Sequence, residues 1–371
     1  MNILFVCYDH NLSGANMSLL DLLEDYDKNE CNITVMLPKS CTEFENKLKQ
    51  LNVKVLVCKF VVSIGKIRKG IYTFAKNTAK YFAEKLLKNS RVKKAIKSLD
   101  NEKFDCVISN SFATLFGYYV AKKLNVRHYF YIREFMNEDH KIKHLFNVSE
   151  ICKDSYAIYI SKSIEKYFNK KYKFIDSMQV YDKVNLNLDN IKLKELNKDN
   201  INICMVGSLH EGKGQQDIIQ AVSILEKQGY NIKLSIAGSG LRLEYLQNLS
   251  NSLNLKNCKF LGQVKNMKEI YDSSDISTIC SRQEALGRVT VESLANGLYV
   301  VGTNSGETEY LLSENRGLFY SFGNYEELAE KIKQIIETKG SNIDRNRNIN
   351  YIRENFEKPI LPLILDFIEK G

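Results

Sequence analysis

Residues Ser281–Ser305 read SRQEALGRVTVESLANGLYVVGTNS. A polar loop carrying Glu284 leads into a helical pattern entered through Gly287, and an apolar strand pattern follows, closed by a polar, glycine-containing turn. Arg288 stands at the helix entrance and Glu292 lies in the second turn. The free N–H groups of a helix N-terminus present about half a positive charge to an anion, and carboxylates accept hydrogen bonds from sugar hydroxyls. The stretch therefore suits a ligand that is anionic at one end and rich in hydroxyls at the other.

Outward from this stretch the same alternation continues. Strand patterns at INICMVG (201–207), NIKLSIAG (231–238), CKFLG (258–262), ISTIC (276–280) and GLFYS (317–321) are separated by helical patterns near 215–228, 241–253, 266–272 and 326–338. An earlier series runs through NILFVC (2–7), NITVML (32–37), VKVLVC (53–58), FDCVIS (104–109), HYFYI (128–132) and YAIYI (156–160). Strands alternating with helices predict an α/β chain of two doubly wound parallel sheets, with ligands at the carboxyl ends of the strands. A chain of 371 residues is too long for one ordinary core. The pattern turns polar from Tyr181 to Asn200, which places a first Rossmann-like domain at 1–185, a linker at 186–200, a second Rossmann-like domain at 201–345 and a C-terminal helix at 346–371.

Several turns after strands carry candidate binding residues. Ser13, Gly14 and Ala15 form a small-residue loop before a helix, where backbone amides can approach an oxygen-rich ligand. GSLHEGKG, from Gly207 to Gly214, places Lys213 at the start of the next helix, where an ammonium and exposed N–H groups can hold a diphosphate. It is not a P-loop, because the G-x-x-x-x-G-K-[ST] spacing is absent. Arg133 and Glu134 follow a strand end, and they either meet a ligand or pair with neighbours. His140 and His144, four apart on an expected helix, lack a third ligand nearby and read as structural or surface residues.

Composition excludes other classes. The nine cysteines are scattered without a C-x-x-C pair, so neither a zinc site nor a disulfide framework is expected, and a reducing cytosol is the natural setting. The first residues, MNILFVCYDH, read as a buried strand and not as a signal peptide, and no apolar run is long enough to span a bilayer. A cytoplasmic protein is expected, soluble or peripheral on the inner membrane face. Between Lys59 and Lys97 stand twelve Lys/Arg against one acid, so this segment outweighs the net charge of +9 and leaves the remainder slightly acidic. Apolar residues at helical spacing make it a basic amphipathic segment, either a solvated helix face or a contact for an anionic membrane surface. With no accompanying motif, a nucleic-acid partner is not expected.

Taken together, EALGRVTVE (Glu284–Glu292), GSLHEGKG and the SNSFATLFGYYVAKKLNVRHYFYIREF region resemble bacterial retaining glycosyltransferases of family 4, especially those of capsule and exopolysaccharide synthesis. Glu284–Glu292 is similar to the family's E-x7-E motif, and GSLHEGKG to its G-R-L-x-x-x-K-G loop. The resemblance implies the GT-B architecture, with two Rossmann-like domains facing across a cleft, and a C-terminal helix packed on the first. It implies a nucleotide-sugar donor, with UDP-sugars favoured, a glycan or lipid-linked oligosaccharide acceptor, and neither a metal nor another cofactor. By the same resemblance Lys213 binds the donor diphosphate with backbone amides near Leu286 and Gly287, Glu284 holds hydroxyls of the transferred sugar, and Glu292 holds the ribose. Gly207 and Ser208 line the phosphate loop, Gly262 to Val264 lie by the base, and Gly14 and Ala15 face the diphosphate. Two positions depart from the family. Ser208 stands where an arginine is usual, with Arg288 as the expected replacement for its charge, and Arg133 stands where many relatives offer a histidine. These departures keep in view a non-catalytic GT-B partner or glycan-binding subunit of another transferase, while a nucleotide-sugar epimerase is a third reading, against which the E-x7-E spacing stands.

Overall fold

The computed structural model describes residues 1–24, 26–27, 30–60, 64–66, 86–136, 140–142, 147–186, 191 and 193–371. The chain divides into two compact units, Met1–Lys183 with Pro359–Gly371, and Val184–Lys358.

Unit 1 is built on strands β1 (Asn2–Val6), β2 (Asn32–Leu37), β3 (Lys54–Val57), β4 (Ile64–Lys66), β5 (Cys106–Ser109), β6 (Arg127–Ile132), β7 (His140–Ile142), β8 (Tyr156–Tyr159) and β9 (Ser177–Gln179). Seven of these form one parallel sheet in the order β3-β2-β1-β5-β6-β8-β9, while β4 and β7 pair antiparallel as a separate ribbon. The central strands are apolar without alternation because helices cover both faces, and β1, β5 and β8 are buried almost throughout. Unit 2 continues with β10 (Ile201–Val206), β11 (Ile232–Ala237), β12 (Cys258–Gly262), β13 (Ile276–Ile279), β14 (Tyr299–Thr303) and β15 (Leu318–Tyr320). Its parallel sheet has the order β12-β11-β10-β13-β14-β15. In β12, at the sheet edge, Cys258 and Phe260 turn toward the core while Lys259 and Leu261 are exposed, the alternation expected of a half-covered strand. In both sheets the strand order reverses direction beside the first strand, between β1 and β5 and between β10 and β13. That reversal opens a crevice at the carboxyl ends of the strands.

Four expectations are corrected. Residues 140–142 form a strand and not a helix, because their backbone pairs with Ile64–Lys66; His144 lies outside the described residues. The boundary between the units falls at Lys183/Val184, and the segment read as a linker contributes to unit 2: Val184 N donates to Phe356 O, and Leu196 is buried in the core of that unit. The C-terminal segment is two helices, Arg345–Phe356 in unit 2 and Leu361–Lys370 in unit 1. Pro359 divides them, since proline lacks the N–H and disfavours helix in the residue before it. Arg127 donates to Ile368 O at 2.8 Å and the Tyr156 hydroxyl to Gly371 O at 3.1 Å, which fixes the second helix within unit 1.

Of the basic stretch 59–97, residues 61–63 and 67–85 lie outside the described residues. In the part that is described, a helix over 86–98 turns Val92 and Ala95 into the core and leaves Leu86 exposed. No helix of the described residues is long and apolar enough to cross a membrane.

Candidate active site

The site in unit 2 forms where β10 and β13 run side by side. After β10 the chain passes Gly207 and Ser208, makes a single 3₁₀ turn over Glu211–Lys213, and starts the helix Gln215–Lys227 from Gly214. Gly214 has φ +63°, and a Cβ there would stand 2.2 Å from the carbonyl oxygen of Cys280, so the loop after β10 touches the backbone of the loop after β13. Arg282 N donates to Gly212 O at 2.8 Å across the same contact. Gln215 Nε2 holds Ser208 O at 3.0 Å, which fixes the exposed serine turn from below.

These contacts bring Lys213 and Glu284, 71 residues apart, into an ion pair between Nζ and Oε1. Both side chains keep access to solvent, 25% and 20% exposed. Glu284 is fixed through its main chain: its carbonyl accepts from Glu307 N at 2.8 Å, and a Cβ on Gly306 would approach that oxygen to 2.5 Å. Gly306 also has φ +59°, so both conformation and space call for glycine. Thr303 and Ser305 donate to Ser281 O and Arg282 O, each at 2.6 Å. The carboxyl end of β14 therefore clamps the loop that carries Glu284.

Leu286 is buried, and Gly287 starts the helix Arg288–Ala295 in the left-handed region. Four residues on from Arg288, Glu292 accepts a 2.6 Å hydrogen bond from the Tyr271 hydroxyl on its Oε2. Burial raises the Glu292 carboxyl above its usual range, while Tyr271 and the charge of Arg288 act the other way. Gly262 ends β12 and accepts from Gly238 N at 2.7 Å, with Val264 two residues further.

Gly14 and Ala15 lie in unit 1, at the start of the helix Gly14–Leu23 that follows β1. A buried polar network surrounds the carboxyl ends of these strands. Asn110 donates to Ala15 O at 3.2 Å and accepts from Arg133 Nε at 3.2 Å. Arg133 pairs through Nη1 with Asp182, lies over the Tyr131 ring at 3.8 Å, and has a buried Nη2 without a hydrogen-bond partner. The Tyr131 hydroxyl completes the cluster, donating to Asp182 at 2.7 Å. Glu134 accepts from Ser111 Oγ and from Ala113 N, and burial raises its carboxyl. Of the two readings left open for Arg133 and Glu134, the structure shows pairing with neighbours.

Sequence reasoning missed Tyr271, Asp182, Asn110 and Gly306. Tyr271 sits on the helix Met267–Ser273 among ordinary apolar positions, and Asp182 lies in a polar stretch without periodicity, so neither carried a local signal. Among the described residues, no three His, Cys, Asp or Glu side chains gather as a metal site.

Residues 189–355 match the family model Glycosyl transferases group 1. The capsular polysaccharide biosynthesis glycosyltransferase CapM of Staphylococcus aureus is 31% identical over 157 residues, which covers 40% of this chain and 41% of that protein. A Campylobacter jejuni relative, GalNAc-alpha-(1->4)-GalNAc-alpha-(1->3)-diNAcBac-PP-undecaprenol alpha-1,4-N-acetyl-D-galactosaminyltransferase, is 26% identical over 163 residues, 43% of this chain and 45% of its own. The chain thus spans less than half the length of these curated relatives. Over its full length it superposes on Anabaena Alr3699/HepE, solved in complex with UDP, with a TM-score of 0.80 at 19% identity and complete coverage of both chains. The lipopolysaccharide outer core galactosyltransferase WaaB gives 0.78 at 14% identity, covering 100% of this chain and 99% of that one. Residues 189–355 thus match the glycosyl transferases group 1 model, on a chain with the two-sheet α/β fold of GT-B glycosyltransferases.

Proposed function

We propose that the protein is a retaining hexosyltransferase that moves a sugar from a UDP-sugar to a hydroxyl of a lipid-linked oligosaccharide in the synthesis of a cell-surface polysaccharide. The Lys213–Glu284 pair carries this reading. It places a cation and a carboxylate together at the carboxyl ends of adjacent parallel strands, beside the start of the helix Arg288–Ala295. Two comparisons support the choice of substrates. HepE was solved with UDP, with UDP and glucose, and with UDP-glucose. The name of the Campylobacter relative places its acceptor on a PP-undecaprenol carrier.

In this reading Lys213 and the backbone amides at Leu286 and Gly287 take the diphosphate, Glu284 the hydroxyls of the transferred sugar, and Glu292 the ribose. Cleavage of the anomeric C–O bond leaves negative charge on the departing diphosphate, and a fixed ammonium with a helix N-terminus stabilises that charge without a metal. The acceptor oxygen bonds to the anomeric carbon on the face that the diphosphate leaves, and its proton passes to a leaving-phosphate oxygen. In this reading the acceptor attacks directly and no covalent glycosyl-enzyme forms. The charge of Arg288 supports the ionised form of Glu292.

The test is a panel of UDP-, GDP- and ADP-sugars, scored by thermal stabilisation and then by transfer to a lipid-linked acceptor with and without EDTA. The expected result is stabilisation by a UDP-sugar and transfer unaffected by EDTA. Stabilisation by none of the panel would support a non-catalytic partner instead.

A further inference from the structure

We infer that Tyr271 is a positioning residue for ribose recognition, its hydroxyl holding the Glu292 carboxylate oriented and ionised for the sugar ring of the nucleotide. The inference rests on the donor-site reading above and concerns a residue outside the sequence motif.

Tyr271 is 3% exposed, and its ring packs with Cys204 and Leu298 behind the site. Packing alone asks only for a ring, yet the hydroxyl reaches Oε2 of Glu292 at 2.6 Å, a length typical of a hydrogen bond to a charged acceptor. Burial and the neighbouring carboxylate raise the phenol pKa, so Tyr271 stays neutral and keeps its O–H to donate to the ionised Glu292 carboxylate. Tyr271 engages one carboxylate oxygen, and in the donor-site reading the other accepts from a ligand hydroxyl. The backbone of Glu292 is held as well, since its carbonyl accepts from Asn296 N at 3.0 Å and Asn296 Nδ2 at 2.8 Å. The residue is therefore anchored at its backbone and at one carboxylate oxygen.

Charge state matters as much as orientation. Burial favours the neutral acid, which would offer the ribose a weaker acceptor. Two ionisable groups bear on this carboxylate. Tyr271, from the helix Met267–Ser273, and Arg288, from the same helix as Glu292, both favour ionisation. Behind Tyr271, Cys204 of β10 is a thiol kept neutral by burial. Removing only the phenolic O–H thus shifts Glu292 toward its protonated form while keeping the ring in place.

The experiment measures binding of UDP, 2′-deoxy-UDP and 3′-deoxy-UDP by calorimetry at pH 5.5, 7.0 and 8.5, in the wild type, Tyr271→Phe and Glu292→Gln. The wild type should prefer UDP over at least one deoxy analogue by about tenfold at pH 8.5, as expected for a hydrogen bond to a charged group. Tyr271→Phe should show a smaller preference than the wild type, one that falls further as pH drops from 8.5 to 5.5, with affinity for the deoxy analogue unchanged. Glu292→Gln should lose it at every pH. A Tyr271→Phe protein that keeps the wild-type preference throughout, or that weakens all three nucleotides equally, would overturn the inference. Failure of the wild type to bind any of them would overturn the donor-site reading itself, and this inference with it.

Discussion

Each unit carries an acid–base pair at the carboxyl ends of its strands, but the two pairs are built differently. Arg133 and Asp182 are only 4% and 2% exposed, and Asn110, Tyr131 and Ala15 lock them in a network. Lys213 and Glu284 are 25% and 20% exposed and are positioned through the backbone of their loops. A buried ion pair offsets its desolvation only while both partners and their hydrogen bonds are present, so it behaves as fixed architecture. A pair open to water gives up little when its partners are exchanged, so it can trade them for a ligand. The comparison separates a charge that holds the fold from a charge that is free to bind.

The largest expected effect comes from breaking the buried pair. Asp182→Ala leaves the Arg133 guanidinium uncompensated in the interior, and a loss of about 3–5 kcal/mol in urea unfolding is expected. Next comes Lys213→Ala, with the opposite signature. Stability should change by less than about 1 kcal/mol because the pair is partly solvated. Turnover should fall by roughly 10²–10³, the usual cost of losing one group that stabilises transition-state charge. A Lys213→Ala enzyme with normal turnover would remove that residue from the chemistry. An Asp182→Ala protein as stable as the wild type would show that the buried network does not hold unit 1.

Acid should sharpen the contrast between the units through His128. This residue is 2% exposed, with Ser109 Oγ at Nε2 (2.9 Å) and Ser155 Oγ at Nδ1 (2.8 Å), and burial pushes its pKa down to about 3. Because the folded state resists protonation, its contribution is fully present above the ordinary histidine value near pH 6.5 and is lost as pH falls from there toward 3. At pH 4.5 the loss should be roughly 2–3 kcal/mol. The buried carboxyls of Glu134, Asp217 and Glu292 have raised pKa values, so their contributions weaken as pH rises, not as it falls. Stability of the wild type and of His128→Asn, measured between pH 7 and 4.5, should give a steep slope for the first and a flatter one for the second. Equal slopes would assign the acid sensitivity elsewhere.

Most of the fold was legible because its cause is local. Strands covered on both faces are continuous apolar runs, and NITVML matches β2 residue for residue, as CKFLG matches β12. What escaped had no local cause. The strand β9, Ser177–Gln179, is three half-buried residues held at the sheet edge by β8, and the β4–β7 ribbon depends on a partner from a distant segment. The site divides in the same way. Lys213 and Glu284 could be named because each stands in a turn next to a helix start, whereas their pairing was set by Gly214, Gly306 and the loops around them. Arg133 showed as a charge after a strand, but its partner lies 49 residues away in a stretch without pattern. Tyr271 carried no local signal, and its hydroxyl meets its partner only in a carboxylate 21 residues away.

The smallest expected effect asks whether the open pair does exchange partners. If the pair lies in the donor site as proposed, UDP alone takes Lys213 but offers nothing to Glu284, which is then left unpaired beside a diphosphate of like charge. A UDP-sugar offers hydroxyls to that carboxylate as well. Glu284→Gln removes the repulsion and the competing partner while retaining an acceptor oxygen. Its affinity for UDP should rise by a factor of several, up to about tenfold, or roughly 1 kcal/mol. Its affinity for the UDP-sugar should stay level or fall, because a neutral amide is a weaker acceptor for the sugar hydroxyls. The preference of the site would then move from donor toward product, and release of UDP after each transfer would slow. Calorimetric titration of both ligands into both proteins reads that reversal directly. If UDP binds the two proteins equally, Glu284 does not compete for Lys213, and the open pair is as fixed as the buried one.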